Sequence, residues 1–501
     1  MKPITFLYME NTIRRRRKSV QQQLTFFMSV ENVGYHKAVD VLWAGEDNQW
    51  RTLGATHHSA HGQQHEYWSA GVSIKLSSKQ ALPGNIRFSL RYRVGEHDHW
   101  DNNHGKDYHS DADSGILLGH SAVQNILCDT HFAEGAKYVP VKVAVDSRQG
   151  ADRVVLHWTT DDWTTRRTTD CSARLNLWDK LHASNARNPN QYGVQVWAGI
   201  IRCRDAFRLQ YSICYHRGEQ TYWDNNAGQN YILQRDPLRV MILNLHCYQE
   251  KNQAAKLRQI ARAIAELDVD IACLQEVAEN WNDGHGDWQS NAARIINEHL
   301  PQPYYLHTDW SHLGFERYRE GIAILSRYPF LEQQSRYVSD DQDIYSIHAR
   351  KVVMGAIKAP YIGLVNVYSA HLSWLQDGFE EQFNRLHDWA AGNHGKDVQA
   401  TLLCGDFNVT VDSAGYQLVV NSKQYDDQFM DVNQHGLFEK IFRAEDPYWQ
   451  DLSREEYRID YIFMNRGGKL RATSAEVIFT EADYGRVSDH CGYVMTFEPQ
   501  P

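Results

Sequence analysis

Asp406 and Asn408 stand two residues apart at the end of the apolar run Leu402-Leu-Cys-Gly-Asp-Phe-Asn-Val409. A run of Leu and Cys bounded by Gly reads as a buried strand, and alternate residues of a strand face the same way. A carboxylate and an amide then share one face at the edge of a sheet, a setting suited to hard cations and phosphates. Asp and Asn are also ordinary turn-formers after a strand, so the pair takes its meaning from what accompanies it. Other apolar runs close on polar residues as well: Arg239-Val-Met-Ile-Leu-Asn244, Asp270-Ile-Ala-Cys-Leu-Gln-Glu276 and Leu364-Val-Asn-Val-Tyr-Ser-Ala-His371. Tyr457-Arg-Ile-Asp-Tyr-Ile-Phe463 carries Asp460, and Ser488-Asp-His490 follows near the end. Strand tips that deliver an amide, acids and imidazoles to one point could seat a hard cation against a phosphoryl group and move protons beside it.

The elements that must position these groups are readable. Leu257, Ile260, Ala261, Ile264 and Leu267 recur at helical spacing between the first two apolar runs. Strand, helix, strand is an α/β unit, and such folds carry their chemistry at the C-terminal ends of strands. Glu320-Gly-Ile-Ala-Ile-Leu-Ser-Arg-Tyr-Pro329 is a further strand, closed by Pro. Asp236-Pro237 marks a joint, so an α/β domain is expected over 237–498.

The half before the joint is repetitive. His99-Trp-Asp-Asn-Asn-His-Gly-Lys-Asp-Tyr108 returns as Tyr222-Trp-Asp-Asn-Asn-Ala-Gly-Gln-Asn-Tyr231, each copy after a Gly-Glu pair. Upstream, Ile86, Phe88, Leu90 and Tyr92 alternate with polar residues, as do Leu209, Tyr211, Ile213 and Tyr215. Alternation marks half-buried strands, and Asp-Asn-Asn-x-Gly is turn chemistry. Two tandem all-β sandwiches are expected, over residues 20–135 and 136–235.

At 501 residues the chain is too long for one core, and 42% apolar with 23% charged residues is globular. A net charge of −10 argues against nucleic acid as a partner, because that binding relies on Lys and Arg. No run suits a signal peptide or a membrane span, and the eight Cys form no CxxC pair. A cytoplasmic protein with reduced thiols and no membrane partner is expected. Arg14-Arg-Arg-Arg-Lys18 reads as a solvated N-terminal arm.

The repeated Trp-Asp-Asn-Asn segment resembles starch- and glycogen-binding modules of the kind found in glycogen-targeting subunits. That resemblance implies α-glucan binding by Trp100, Asn102, Asn103 and Tyr108, and by Trp223, Asn225, Asn226 and Tyr231. The first copy departs from the pattern at Asp107, where the second has Asn230. The alternative is that both Trp are core residues and the Asn shape a turn.

Asn244, Gln275-Glu276, His371, Gly405-Asp-Phe-Asn408, Ile459-Asp460 and Ser488-Asp-His490, in this order, resemble the endonuclease/exonuclease/phosphatase superfamily. The resemblance implies two mixed β-sheets flanked by helices, and Mg2+ (or Mn2+) held by Asn244, Glu276 and Asp489. It makes Asp406, oriented by Asn408, the base for an attacking water, with His371 and His490 as donors to phosphoryl oxygens. Asp460 would hold His371, and Asp489 would do the same for His490; His246 and His348 match no position and are read as bystanders.

Ser311-His-Leu-Gly-Phe-Glu-Arg-Tyr-Arg-Glu-Gly321, Ala370-His-Leu-Ser-Trp-Leu-Gln-Asp377 with Phe383-Asn-Arg-Leu386, and Val477-Ile-Phe-Thr-Glu-Ala-Asp-Tyr484 are similar to bacterial maltose 6'-phosphate phosphatases. Leu375 stands where those enzymes carry a second Trp. This resemblance implies a phosphorylated malto-oligosaccharide or glucan as substrate, with Trp310, His312 and Trp374 lining the sugar pocket. A nuclease, a sphingomyelinase-like phosphodiesterase, and a glucan-binding protein with an inactive hydrolase half remain as alternatives.

Overall fold

The computed structural model describes residues 2–500 apart from 17–18, 35, 62–63, 78–80, 127–129, 147–150, 174–187, 412 and 433–457. Arg17, Lys18, Cys128 and Tyr457 of the sequence reading lie outside the described residues. Two compact units meet at Arg235 and Asp236, at the expected joint.

The first unit is all β and holds four sheets, two for each repeat. In the first repeat Ile4–Arg16 pairs along its length with Ser19–Glu31, from Ile4 opposite Val30 to Arg16 opposite Ser19. This corrects the expected start at residue 20 and the solvated arm. Ile4, Phe6, Met9 and Ile13 are buried, so the segment is a strand whose basic end is exposed. Lys37–Ala44, Ile86–Val94 and His97–Asp101 form the facing sheet with Trp50–Gly54. In the second repeat Val123–Ile126 pairs with Tyr138–Asp146, which moves the boundary between modules upstream of 135/136. Arg153–Thr159, Arg208–Arg217 and Gln220–Asp224 repeat the facing sheet of the first module. Tyr8, Phe27, Tyr67 and Ile116 of the first repeat join Val143, Val145, Val194 and Val196 of the second in one apolar cluster.

The second unit is an α/β sandwich of two mixed sheets. One runs Tyr305–Gly314, Tyr318–Ser326, Ile271–Asn282, Leu238–Asn244, Gly492–Pro499 and Leu470–Ile478, and the other runs Phe330–Tyr337, Lys351–Ala359, Gly363–His371, Val398–Asp406, Asp460–Asn465 and Tyr425–Asp427. Each sheet has a parallel pair, Leu238–Asn244 with Ile271–Asn282 and Gly363–His371 with Val398–Asp406. Parallel strands buried on both faces read as continuous apolar runs, which is how these four appear in the sequence. Helix Gln253–Glu266 buries Leu257, Ile260, Ala261 and Ile264 against Met241, Leu243 and Leu274 of the first sheet. The sheets are tied where Gln275 Nε2 donates to Ser369 Oγ at 3.0 Å. The seven described cysteines are buried and unbridged. No helix among the described residues is long and apolar enough to cross a membrane.

Ile264 is fully buried on the inner face of that helix, so Ile264→Ala should destabilise the second unit by about 2–5 kcal/mol. Exposed Leu375→Ala should stay within about 0.5 kcal/mol. Urea unfolding followed by circular dichroism checks both.

Candidate active site

Strand tips of both sheets of the second unit meet at one place. Asn244, wholly buried at the end of its strand, donates through Nδ2 to Glu276 Oε1 at 2.8 Å and to Asp406 Oδ2 at 3.1 Å. Its Oδ1 accepts the His246 N–H at 3.0 Å. Asn244, expected as a cation ligand, uses both amide hydrogens to bridge two acids that reach it from different sheets. Two buried carboxylates side by side must be given donors, which an amide can supply.

Glu276 reaches the site through local irregularity. Its strand slips register between Leu274 and Val277, and Glu276 sits at φ 49°. A β-bulge places an extra residue in one strand and re-aims a side chain; left-handed backbone at a non-glycine costs on the order of 1–3 kcal/mol and marks functional sites. The neighbouring strand has a second bulge, between Trp310 and His312, so both irregularities flank Gly321. A Cβ at Gly321 would collide with the backbone of Asp309 and Trp310. Gly405, at φ 133°, is needed for a different reason: this is backbone that L residues rarely adopt, one residue before Asp406.

Asp406 is 1% exposed. Its Oδ1 accepts the backbone N–H of Asn408 at 2.8 Å, while the Asn408 amide donates to Leu372 O at 2.8 Å. Asn408 thus orients the acid through its main chain, held at φ 51°. His371 Nε2 and His490 Nε2 each lie 3.8 Å from Asp406 Oδ2. The two rings differ in charge. Burial, with the Arg350 and His490 charges, keeps His371 well below its usual range, and Arg350 Nη1 lies 3.3 Å from its Nδ1. Arg350 can only donate, so Nε2 of His371 carries the proton and points toward Asp406. Burial alone would lower His490, but Asp460, Asp406 and Asp489 hold it well above the usual histidine value. Asp460 Oδ2 lies 2.7 Å from His490 Nδ1. Asp460 therefore partners His490 and not His371, whose partner is Arg350; Asp489 lies 4.0 Å from His490 Nε2.

Burial raises Glu276 to about 7, with further repulsion from Glu320 and Asp489. Burial and Asp460 raise Asp406 to about 7. His246, set aside in the sequence, lies 2.8 Å from Glu250 Oε1 and 3.6 Å from Asp489 Oδ1, and these three could ligate one ion. His348 is exposed. Lys256 also meets Glu250, and the carboxylate oxygens of Glu250 and Asp489 are of the kind that holds a hard divalent cation. Sequence reasoning missed Glu320, Arg350 and Glu250. Only Glu320 had a signal, as the first residue of a strand already recognised.

The expected sugar-pocket residues are not brought together. His312, 2% exposed, lies 3.5 Å from Glu320, whereas Trp310 lies 4.8 Å from the Arg319 guanidinium. Arg319 and Glu320 are consecutive in a regular strand and face opposite ways, so the bulge at Ser311 sends Trp310 and His312 to opposite faces. Trp374 caps the turn Leu375–Asp377 after His371 and is half-buried.

In the modules, Trp100 is 45% and Trp223 51% exposed, so neither is a core residue. Trp100 lies under the Arg91 guanidinium and Trp223 against the His157 ring. The Asn residues do shape turns: Asn102 and Asn225 accept from Gly105 and Gly228, and Asn103 and Asn226 donate to Asp107 O and Asn230 O. Tyr108 and Tyr231 are buried and donate to Asp101 and Asp224.

Residues 241–490 match the endonuclease/exonuclease/phosphatase family, and residues 7–111 and 114–234 match the carbohydrate/starch-binding module family 21. Among solved structures, an endonuclease/exonuclease/phosphatase family protein from Leptotrichia buccalis C-1013-b is 26% identical, with TM-score 0.45, over 52% of this chain and 99% of that one. A mannosyl-6-phosphatase of Bacteroides thetaiotaomicron VPI-5482 is 18% identical, with TM-score 0.40, over 52% and 99%. An endonuclease/exonuclease/phosphatase from Beutenbergia cavernae DSM 12333 is 21% identical, with TM-score 0.41, over 53% and 72%. No curated protein matches the chain.

The raised Glu276 predicts a pH signature. Its proton is held from the ordinary value of 4.5 up to about 7 in the folded protein, so ionising it opposes folding and that stability is lost as pH rises through this window. In EDTA, the unfolding midpoint of Glu276→Gln should gain on wild type between pH 4.5 and 7. Mg2+ should then raise the midpoint of wild type more than that of the variant.

Proposed function

We propose that this chain, whose residues 241–490 belong to the endonuclease/exonuclease/phosphatase family and whose residues 7–111 and 114–234 belong to carbohydrate-binding family 21, is a cytoplasmic Mg2+- (or Mn2+-) dependent sugar phosphatase. Its substrate is maltose 6'-phosphate or a related phosphorylated malto-oligosaccharide or glucan. The observation that carries the reading is the union in one chain of a domain matching the endonuclease/exonuclease/phosphatase family and two modules whose Trp100 and Trp223 are exposed at the surface. Flat indole rings cover the apolar faces of pyranoses. Tethering the glucan raises the effective substrate concentration at the catalytic unit toward the millimolar range. The buried, unbridged thiols suit a reducing compartment.

In this reading Asn244, Glu276 and Asp489 would hold the cation, which when bound would neutralise the phosphoryl oxygens. Asp406 takes the proton of the attacking water, and its carboxyl, raised to about 7, is near the pH at which a base works best. The Asn408 N–H and the Asn244 amide keep that carboxylate aimed. Neutral His371 and protonated His490 each direct an Nε2–H into the space beside Asp406, where phosphoryl charge develops. Arg350 and Asp460 hold the two rings in these states.

Purified protein with Mg2+ should hydrolyse maltose 6'-phosphate, with EDTA abolishing the activity. Asp406→Asn should lower kcat by about 10²–10⁴. Plasmid DNA and a phosphocholine lipid run in parallel decide between ester classes. Nicking of DNA at protein levels that leave the sugar phosphate intact would overturn the assignment.

Trp223→Ala and Trp100→Ala should reduce retention on amylose or glycogen. Tyr231→Phe, which removes only a buried hydroxyl, should leave it unchanged. Equal retention of all forms would remove the modules from substrate recruitment.

A further inference from the structure

A cavity of about 260 Å³ opens in the catalytic unit on the sheet face opposite Glu320, lined by Glu279, Trp288, Asn291, Asp309, Trp310 and Arg319 among others. Pockets for drug-sized ligands run from about 300 to 1,000 Å³, so this one has room for a single ring. Trp288 at its rim is 47% exposed. The Arg319 guanidinium lies 5.0 Å from the Trp281 ring and 4.8 Å from Trp310, and its Nη1 is 3.1 Å from Glu279 Oε1. Its Nε is buried without a partner among the described residues. Glu279 and Asn291 are 7% and 5% exposed, and Asn291 donates to Glu279 Oε2 at 3.3 Å.

The wall therefore combines indole faces with three planar polar groups, a carboxylate, an amide and a guanidinium, already braced by one another. Planar groups with paired donors or acceptors match the adjacent hydroxyls of a sugar, and indoles match its apolar face. A buried carboxylate disfavours an anionic occupant. We infer that this cavity binds one neutral pyranose unit of the glycan whose phosphate is cleaved, an inference that rests on the sugar-phosphate reading of the catalytic centre. Glu279 follows Glu276 by three residues and Arg319 precedes Glu320, yet they face opposite sides of one sheet. The ring held here is thus a remote unit, and the cavity favours the longer phosphorylated malto-oligosaccharides of the proposed substrate class over the disaccharide.

Two measurements on the full chain test this. Trp288→Ala and Glu279→Gln should raise KM for a phosphorylated maltodextrin about tenfold while leaving kcat and KM for p-nitrophenyl phosphate unchanged. In protein labelled with 5-fluorotryptophan, the fluorine signal missing from Trp288→Phe identifies Trp288, and it should shift on titration with maltotriose but not with inorganic phosphate. A Trp288 signal that stays fixed while maltotriose moves other tryptophans overturns the proposal, as does a shift with adenosine instead of maltotriose, or an equal rise in KM for both substrates. A Trp288 shift with maltotriose in a protein that hydrolyses no sugar phosphate supports the cavity and removes the catalytic reading, so the two failures are distinguishable.

Discussion

Negative charge buried in one hole is the constraint on which the second unit depends. Glu276, Glu320, Asp406, Asp460 and Asp489 converge between the ends of two sheets. Isolated buried carboxylates are costly, and each must gain a donor, a counter-charge or a proton. Asn244 is set between Glu276 and Asp406, His490 between Asp460 and Asp406, and His246 beside Glu250 and Asp489. His246, Glu250 and Asp489 are close enough together that they could hold an ion.

The same constraint explains the backbone. A regular strand would aim alternate residues into the sandwich core and could not bring Glu276 to the rim beside Asn244. The bulge at Gln275-Glu276, the left-handed Glu276 and the facing bulge at Ser311 re-aim side chains that period-two geometry would send elsewhere. The strain is borne by strands buried on both faces and tied across the sandwich by Gln275 and Ser369. A rigid frame of this kind lets two imidazoles, one neutral and one protonated, stand 3.8 Å from one carboxylate oxygen.

In the modules, one repeated motif serves two purposes. Its Asp and Tyr turn inward, so that Tyr108 meets Asp101 and Tyr231 meets Asp224, and its Asn side chains close the turn. The Trp just before the Asp is left outside. A turn held this firmly presents an exposed indole with little conformational freedom to lose on binding.

Sequence alone determined the joint at 236, the strand tips that carry chemistry, the helix between them and the repeat of two β modules. These are local properties: apolar runs and alternation follow from whether one or both faces of a strand are buried. Partnership was not legible. That Asp460 serves His490, that Arg350 serves His371, and that Asn244 bridges two acids are facts about residues 21 to 162 positions apart. Nor does periodicity announce a bulge, which is why Trp310 and His312 read as neighbours and stand on opposite faces. The strand Ile4–Arg16 was missed because its polar and basic residues hide an apolar set that only pairing with Ser19–Glu31 buries. Only the tertiary structure decides which donor meets which buried charge, because that choice is made across sheets, where electrostatics and packing act without regard to sequence distance.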